Sequence, residues 1–351
     1  MPASHKVLEL ATMTKNITRR RLISGATAIG VSALLHSTAH AAGRSDSAGF
    51  NRFDRSSTAE DVTAGTDLRK KTALITGCNS GIGLETMRVL VLRGAHVYGL
   101  APNLEKAQSA CAAVTGPGIN GSATAFACDH TDFSSIAACA DAVQKLGNPI
   151  DMLICNAGVI MQKLEQVNGI EKDFVINHLG HFILVNRLLI RVRTAPQGRV
   201  VVVGSGATFF APKSGIEFDN LSGERDYDMM KMYGQSKLAN GLFVHEHARR
   251  LRGSPTTANV LTPGVVDTPM NRNLTGTNII PADFDFKKLK TVGQGAATTC
   301  YVATSPELKG VSGEYFEDCH RQTSSAQMRD DALAGRLWSA SEELTRPYLL
   351  S

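Results

Sequence analysis

A tyrosine and a lysine stand four residues apart in Tyr233-Gly-Gln-Ser-Lys237. The surrounding segment, 228–251, has helical periodicity, and a separation of four puts both side chains on one face. A tyrosine at its free pKa of about 10 is a poor base at neutral pH. A lysine cation one turn away stabilises the phenolate and lowers that pKa, so the tyrosine can exchange a proton with an alcohol or carbonyl. Tyr–Lys pairs are also common on plain helix surfaces, and the spacing alone carries little weight. A second stretch, Thr76-Gly77-Cys78-Asn79-Ser80-Gly81-Ile82-Gly83, follows a β-branched run at 72–75 and opens a helical pattern at 84–93. Strand, glycine-rich turn and helix in that order make a nucleotide cradle. Glycines let the backbone approach a pyrophosphate, and the helix N-terminus offers it free N–H groups. Such a turn can also be purely structural.

The rest of the chain must position these residues. Short apolar strands read at 72–76, 96–100, 123–128, 151–155, 199–204, 258–262 and 313–316. Helix-period segments lie between them at 84–93, 103–114, 134–146, 169–192, 228–251 and 293–304. This alternation implies an α/β fold: a doubly wound, parallel, seven-stranded sheet of Rossmann type in a single domain. Ser57-Thr58-Ala59-Glu60 has capping-box spacing, so a short helix is expected before the first strand. No repeat, low-complexity tract or domain linker interrupts the pattern.

Hydrophobic residues make up 43% and charged residues 20% of 351, which describes a globular protein with a sizeable core. The formal charge of +5 does not point to nucleic acid, because Lys6, Lys15, Arg19, Arg20 and Arg21 against Glu9 put most of the excess in residues 1–41. There, Thr18-Arg19-Arg20-Arg21-Leu22-Ile23 precedes an apolar run, and Ala39-His40-Ala41 supplies an A-x-A cleavage site. This is the pattern of a twin-arginine export signal. The run is shorter than the roughly 20 residues of a membrane span, so cleavage is expected, with no stable span afterwards. Met13 could start the signal as well as Met1. Residues 42–56 read as a flexible mature N-terminus, residues 57–351 as the folded domain, and the location as periplasmic, or cytoplasmic if the leader is unused. Seven cysteines without C-x-x-C spacing suggest buried thiols and no metal site.

Six features now stand in a telling order: Gly77-x3-Gly81-x-Gly83, Asn156-Ala157-Gly158, Asn177, Ser205, Tyr233-x3-Lys237 and Pro263-Gly264. From about residue 68 onward the chain resembles the short-chain dehydrogenase/reductase family. It looks most like the retinol dehydrogenase-like branch in Ser57-Thr-Ala-Glu-Asp-Val62, Ile176-Asn-His-Leu-Gly-His-Phe182, Tyr233-Gly-Gln-Ser-Lys-Leu-Ala-Asn240, Gly313-Glu-Tyr-Phe-Glu-Asp-Cys319 and Leu337-Trp338. The resemblance implies hydride transfer between NAD(P)(H) and an alcohol/carbonyl pair. It makes Tyr233 the general acid/base, Lys237 its tuner and the holder of the nicotinamide ribose, Ser205 a hydrogen-bonding partner of the substrate oxygen, and Asn177 the support of a water in the proton path. It assigns cofactor binding to Gly77, Asn79, Ser80, Gly81, Ile82 and Gly83, with Asp129 at the adenine. Asn156, Ala157 and Gly158 would line the adenosine side, and Pro263, Val265 and Thr268 would grip the nicotinamide. It also implies pairing into a homo-oligomer through long helices such as 228–251.

The chain departs from the family pattern in two places. Ser205 follows Gly204, where a second serine is frequent. The end of the second strand reads Ala101-Pro102-Asn103, so the arginine of the branch falls on Pro102 and no acid stands at Ala101. Without an acid to repel a 2′-phosphate, and with Lys106 close in sequence, the reading leans to NADP over NAD. Leu274, Ile279, Ile280, Phe284, Phe286 and Leu289 in the segment 270–289 suggest a lid over an apolar substrate. Met229, Met230 and Met232 beside Tyr233 suggest an adaptable pocket. The rival expectation is a nucleotide-binding sensor or scaffold without turnover. A pure binder has no need of Ser205, Tyr233, Lys237 and Asn177 together.

Overall fold

The computed structural model describes residues 52–277, 280 and 283–349. The expected export leader, most of the 42–56 segment and Ile279 lie outside them. A one-turn helix α1 (Ala59–Val62) precedes β1 (Thr72–Thr76), α2 (Gly81–Leu92), β2 (His96–Ala101), α3 (Leu104–Val114), β3 (Ser122–Ala127), α4 (Phe133–Lys145) and β4 (Met152–Cys155). A hairpin, β5 (Gln166–Val167) and β6 (Ile170–Glu171), leads into α5 (Lys172–Phe174), a π-helical turn at Val175–Leu179 and α6 (Gly180–Arg193). Then come β7 (Arg199–Val203), α7 (Met229–Arg250), β8 (Thr257–Thr262), α8 (Pro269–Arg272), α9 (Val292–Thr304), β9 (Tyr315–Glu317), β10 (His320–Gln322) and α10 (Asp331–Leu349).

The main sheet has the order β10-β9-β8-β7-β4-β1-β2-β3, parallel except for β10. All seven expected strands are present, each within a residue or two of its expected limits. The eighth, an antiparallel edge of His320-Arg321-Gln322, has no apolar run to announce it. Within β1, Leu74 enters one core with Leu100, Leu153 and Val202, while Ala73 and Ile75 enter the other with Val97, Ile154 and Val201. Alternate residues thus bury on opposite faces, as a sheet covered on both sides requires. Strand order reverses between β1 and β4, and the crevice beyond their carboxyl ends is where such folds bind ligands.

Three expectations need correction. The capping box sits one residue later than the spacing suggests, with Thr58 as N-cap and Asp61 as its reciprocal partner. The helix expected over 169–192 is broken. Asn168 and Gly169, at φ of +53° and +75°, turn the β5–β6 hairpin, and regular helix resumes only at Gly180 after the π turn. Helix α10 was not anticipated. Its Trp338 stacks on Phe243 of α7 at 5.8 Å and meets Phe182 of α6 edge-on at 5.0 Å. The face of α7 that α10 covers is not open to a second copy. All seven cysteines are buried. Among the described residues no helix is long and apolar enough to cross a membrane, and no cluster of His, Cys, Asp and Glu could hold a metal.

Candidate active site

The turn after β1 is held from within the sheet. Thr76 Oγ1 accepts the backbone N–H groups of Asn156 and Ala157, each at 2.9 Å, and lies 2.8 Å from His181 Nε2. With its acceptor capacity used by the amides, the hydroxyl donates to the imidazole. His181 then carries its proton on Nδ1 and donates it to the Asn177 carbonyl at 2.9 Å. Asn156 Nδ2 donates to the Thr76 carbonyl at 2.9 Å, so this side chain braces the turn as well as lining the cleft. Gly77 and Gly81 hold φ of +66° and +53°. A Cβ on Gly83 would collide with the Gly77 carbonyl oxygen, so only glycine allows α2 to start this close to the strand. Ser80 is the N-cap of α2 but makes no side-chain cap bond, unlike Asn103 and Asp132 on α3 and α4. The first N–H groups of this 12-residue helix are thus free for an acceptor in the cleft. A close-packed glycine turn and an uncapped helix start fit a pyrophosphate.

The cleft in front of this turn has a volume of about 920 Å³. Gly77, Asn79, Ser80, Gly81, Ile82 and Gly83 form one wall, and Asn156, Ala157 and Gly158 extend it from the end of β4. Asp129 also lines it, while its Oδ1 closes a turn by accepting the Thr131 N–H at 2.8 Å. Ala101 and Pro102 line the stretch where cofactor choice was expected to be read, and Lys106 is not among the lining residues. Pro263, Val265 and Thr268 line its β8 side, where a Cβ on Gly81 would stand 3.3 Å from Thr268 Cγ2.

Ser205, Tyr233 and Lys237 converge on the same cleft. Ser205 lies two residues beyond β7 and caps the short helical turn Gly206–Phe210, its Oγ accepting the Ala207 N–H at 3.1 Å. Lys237 Nζ donates to the Val203 carbonyl at 3.2 Å and lies 5.7 Å from the Tyr233 ring centroid. The expected depression of the tyrosine pKa is not seen. Burial pushes the Tyr233 phenol up to about 12, and a hydrogen bond from Ser205 only partly opposes it. Burial pushes the Lys237 ammonium down to about 8, against the nearby Asp173 carboxyl. The lysine is aimed at the β7 carbonyl, which leaves desolvation of the phenolate as the larger effect.

Asn177 stands behind the cleft rather than on it. Its Oδ1 accepts the Val159 N–H at 2.8 Å, and its Nδ2 donates to the Val159 carbonyl at 3.0 Å and to Ser236 Oγ at 2.9 Å. Both amide hydrogens are engaged by protein, so the side chain pins the 156–159 loop to α7. A Cβ on Gly158 would stand 3.2 Å from both Asn177 Oδ1 and Lys237 Nζ. The π turn that carries Asn177 is bought out of two carbonyls satisfied by imidazoles: His130 Nδ1 meets the Ile176 carbonyl at 3.0 Å and His181 meets that of Asn177. Sequence reading missed Thr76, His130 and His181. Thr76 and His181 were visible only as parts of motifs and His130 in none, and the Thr76–His181, Thr76–Asn156 and His130–Ile176 contacts join residues distant in sequence.

On the substrate side Met230, Leu274, Ile280, Phe284 and Leu289 line the cleft, joined by Met161 and Met270. Phe286 instead packs edge-on against Phe284 at 5.4 Å, and Met232 is buried in the helix interior. Met229 does not line the cleft.

Comparison with known proteins agrees with this architecture. The family model described as short chain dehydrogenase matches residues 71–278. Short-chain dehydrogenase TIC 32 B, chloroplastic, of Brassica napus is 39% identical over 306 residues, covering 85% of this chain and 95% of its own length. Retinol dehydrogenase 14 of Homo sapiens is 36% identical over 289 residues, covering 78% and 85%. The crystal structure of an uncharacterised protein from Mycobacterium Paratuberculosis superposes with a TM-score of 0.64 at 31% identity, over 81% of this chain and 97% of that one. The chain belongs to the short-chain dehydrogenase/reductase family, as an NAD(P)-binding oxidoreductase with retinol dehydrogenase-like relatives.

Proposed function

We propose that this protein interconverts an apolar alcohol and its carbonyl compound with NAD(P)(H), through Ser205, Tyr233, Lys237 and Asn177. The convergence of the Ser205 and Tyr233 hydroxyls and the Lys237 ammonium on the cleft that holds the glycine turn carries this reading. The nicotinamide, when bound, supplies or accepts the hydride. Tyr233 O–H donates the balancing proton to a carbonyl oxygen, and Ser205 Oγ–H orients that oxygen. With its pKa raised, Tyr233 is protonated at neutral pH, which favours carbonyl reduction; alcohol oxidation, which needs the phenolate, gains as pH rises. Lys237 is charged at neutral pH and close to releasing its proton, which suits it to hold ribose hydroxyls and return a proton to the tyrosine. Asn177 keeps the 156–159 loop in register with both.

Pro102 leaves no acid against a 2′-phosphate, which supports NADP; Ala101→Asp should shift preference toward NADH, read by titrating both cofactors. The apolar lining from Met161, Met230, Leu274, Ile280 and Phe284 supports a hydrophobic substrate. The leader supports export by the twin-arginine route to the periplasm, and replacing Arg19 and Arg20 by Lys should retain the chain in the cytoplasm with its activity intact. The test of the reaction is a panel of alcohols and aldehydes assayed with both cofactors on residues 42–351. Cofactor binding without hydride transfer to any member would contradict the proposal.

A further inference from the structure

Lys290 ends the segment that covers the substrate side of the cleft, and its residue is only 3% exposed. Its Nζ donates to the Pro263 carbonyl at 3.2 Å and is ion-paired with Asp318 Oδ1. Asp318 sits on the β9–β10 turn, where it and Cys319 hold φ of +49° and +63°. The backbone of Lys290 is engaged as well. Its N–H donates to the Val265 carbonyl at 3.1 Å, and its carbonyl accepts the Asp267 N–H at 2.9 Å, around a parallel bridge to Val266. Gly264, at φ +79°, lies over the lysine stem, and a Cβ there would stand 3.3 Å from its Cδ, Cε and Nζ. Each residue from 263 to 267 is therefore met by some part of Lys290.

A buried ammonium gives up its hydration, and a pair must be well placed to offset that loss. An apolar side chain would fill the same space more cheaply. What an ammonium adds is direction, since it binds two acceptors on separate segments at fixed angles. Here those segments are the cleft wall 263–267 and the β9–β10 turn, next to Glu317 of β9, which also lines the cleft.

We propose that Lys290 is a positioning residue that fixes the backbone of 263–267 toward the nicotinamide end of the cofactor and ties the end of the cleft cover to it. The proposal rests on the reading of the cleft as a nucleotide site. Its test uses the nucleotide-free chain first. Lys290→Met should raise amide hydrogen exchange in 264–267 by about tenfold, while exchange in β1 and β4 stays as in wild type. Because that variant leaves the partly buried Asp318 carboxylate without its partner, the double variant Lys290→Met/Asp318→Asn is needed beside it. The double variant should recover most of the melting temperature but not the exchange protection. In turnover both should lose about 10- to 100-fold in kcat, with substrate KM changed by no more than about threefold. Unchanged exchange in 264–267, or a double variant that regains wild-type kcat with its stability, would overturn the proposal. A wild-type chain that binds neither NAD nor NADP would overturn the reading of the cleft instead, and the exchange experiment separates the two because it needs no ligand.

Discussion

On the β1 and β4 side of the cleft, the backbone is held by buried, neutral hydrogen bonds that radiate from Thr76 to Asn156, Ala157 and His181. On the β8 side, the wall that runs from Pro263 into the cleft cover is held largely by charge. Arg272 forks onto Asp267 at 2.6 and 2.7 Å, Lys290 pairs with Asp318, and Gln162 Nε2 reaches the Asn273 carbonyl at 2.6 Å. The first wall is crowded to the point that a methyl group on Gly83 does not fit. The second presents methionine, leucine and phenylalanine side chains that can repack around different occupants. One wall is shaped for an invariant group and the other for a variable one.

The contrast can be broken at its rigid side first. Gly83→Ala should weaken binding of either cofactor by roughly 10- to 100-fold, the equivalent of about 1–3 kcal/mol of overpacking, and isothermal titration reads it directly. Binding within about twofold of wild type would show that the turn can yield. Lys237→Met tests the cost of burying function between the walls. Burial holds its ammonium down to about 8, below the ordinary lysine value of 10.5, so the unfolded chain binds more protons between those values. Wild-type stability therefore rises with pH across that window, and the destabilisation is fully present below about pH 8. The variant should be more stable than wild type at pH 7 by about 1–3 kcal/mol, with the gap closing toward pH 10. Denaturation curves that stay parallel from pH 7 to 10 would contradict this.

The adaptable side should respond less. Phe284→Ala removes a half-buried ring from the cleft and should raise KM for a long apolar substrate about fivefold, from about 1 kcal/mol of lost burial, while a short alcohol is unaffected. An equal effect on both substrates would place the ring away from the substrate chain. Arg272→Ala breaks an exposed pair and should cost at most about 1 kcal/mol by chemical denaturation. A larger loss would mean that this pair holds the wall more firmly than an exposed ion pair ordinarily does.

The same contrast explains what could be read from sequence. The glycine turn was legible because its constraint is local: positive φ and close approach demand glycine at Gly77, Gly81 and Gly83 whatever the rest does. Seven strands were legible from apolar runs alone. Thr76, His130 and His181 were not, because their partners lie on other strands and helices, and an isolated Thr or His gives no periodic signal. Helix α10 escaped because its buried residues, Leu337 and Trp338 among them, are sparse on a polar chain. Lys290 resembled any surface lysine until Pro263 and Asp318 were seen to close over it. The upward shift of Tyr233 was hidden for a similar reason, since i,i+4 spacing records proximity to Lys237 but not the burial that outweighs it.

The central claim is that Tyr233 moves the proton while the surrounding walls bind the cofactor. Tyr233→Phe removes one hydroxyl and leaves the glycine turn, Lys237 and Ser205 in place. Single-turnover carbonyl reduction and cofactor affinity should be measured on the same preparation. The rate of hydride transfer should fall by about 10²- to 10⁴-fold, with the cofactor dissociation constant within about twofold of wild type. A variant that keeps most of the wild-type rate, with its cofactor bound as tightly, would contradict the assignment of Tyr233 as the acid/base.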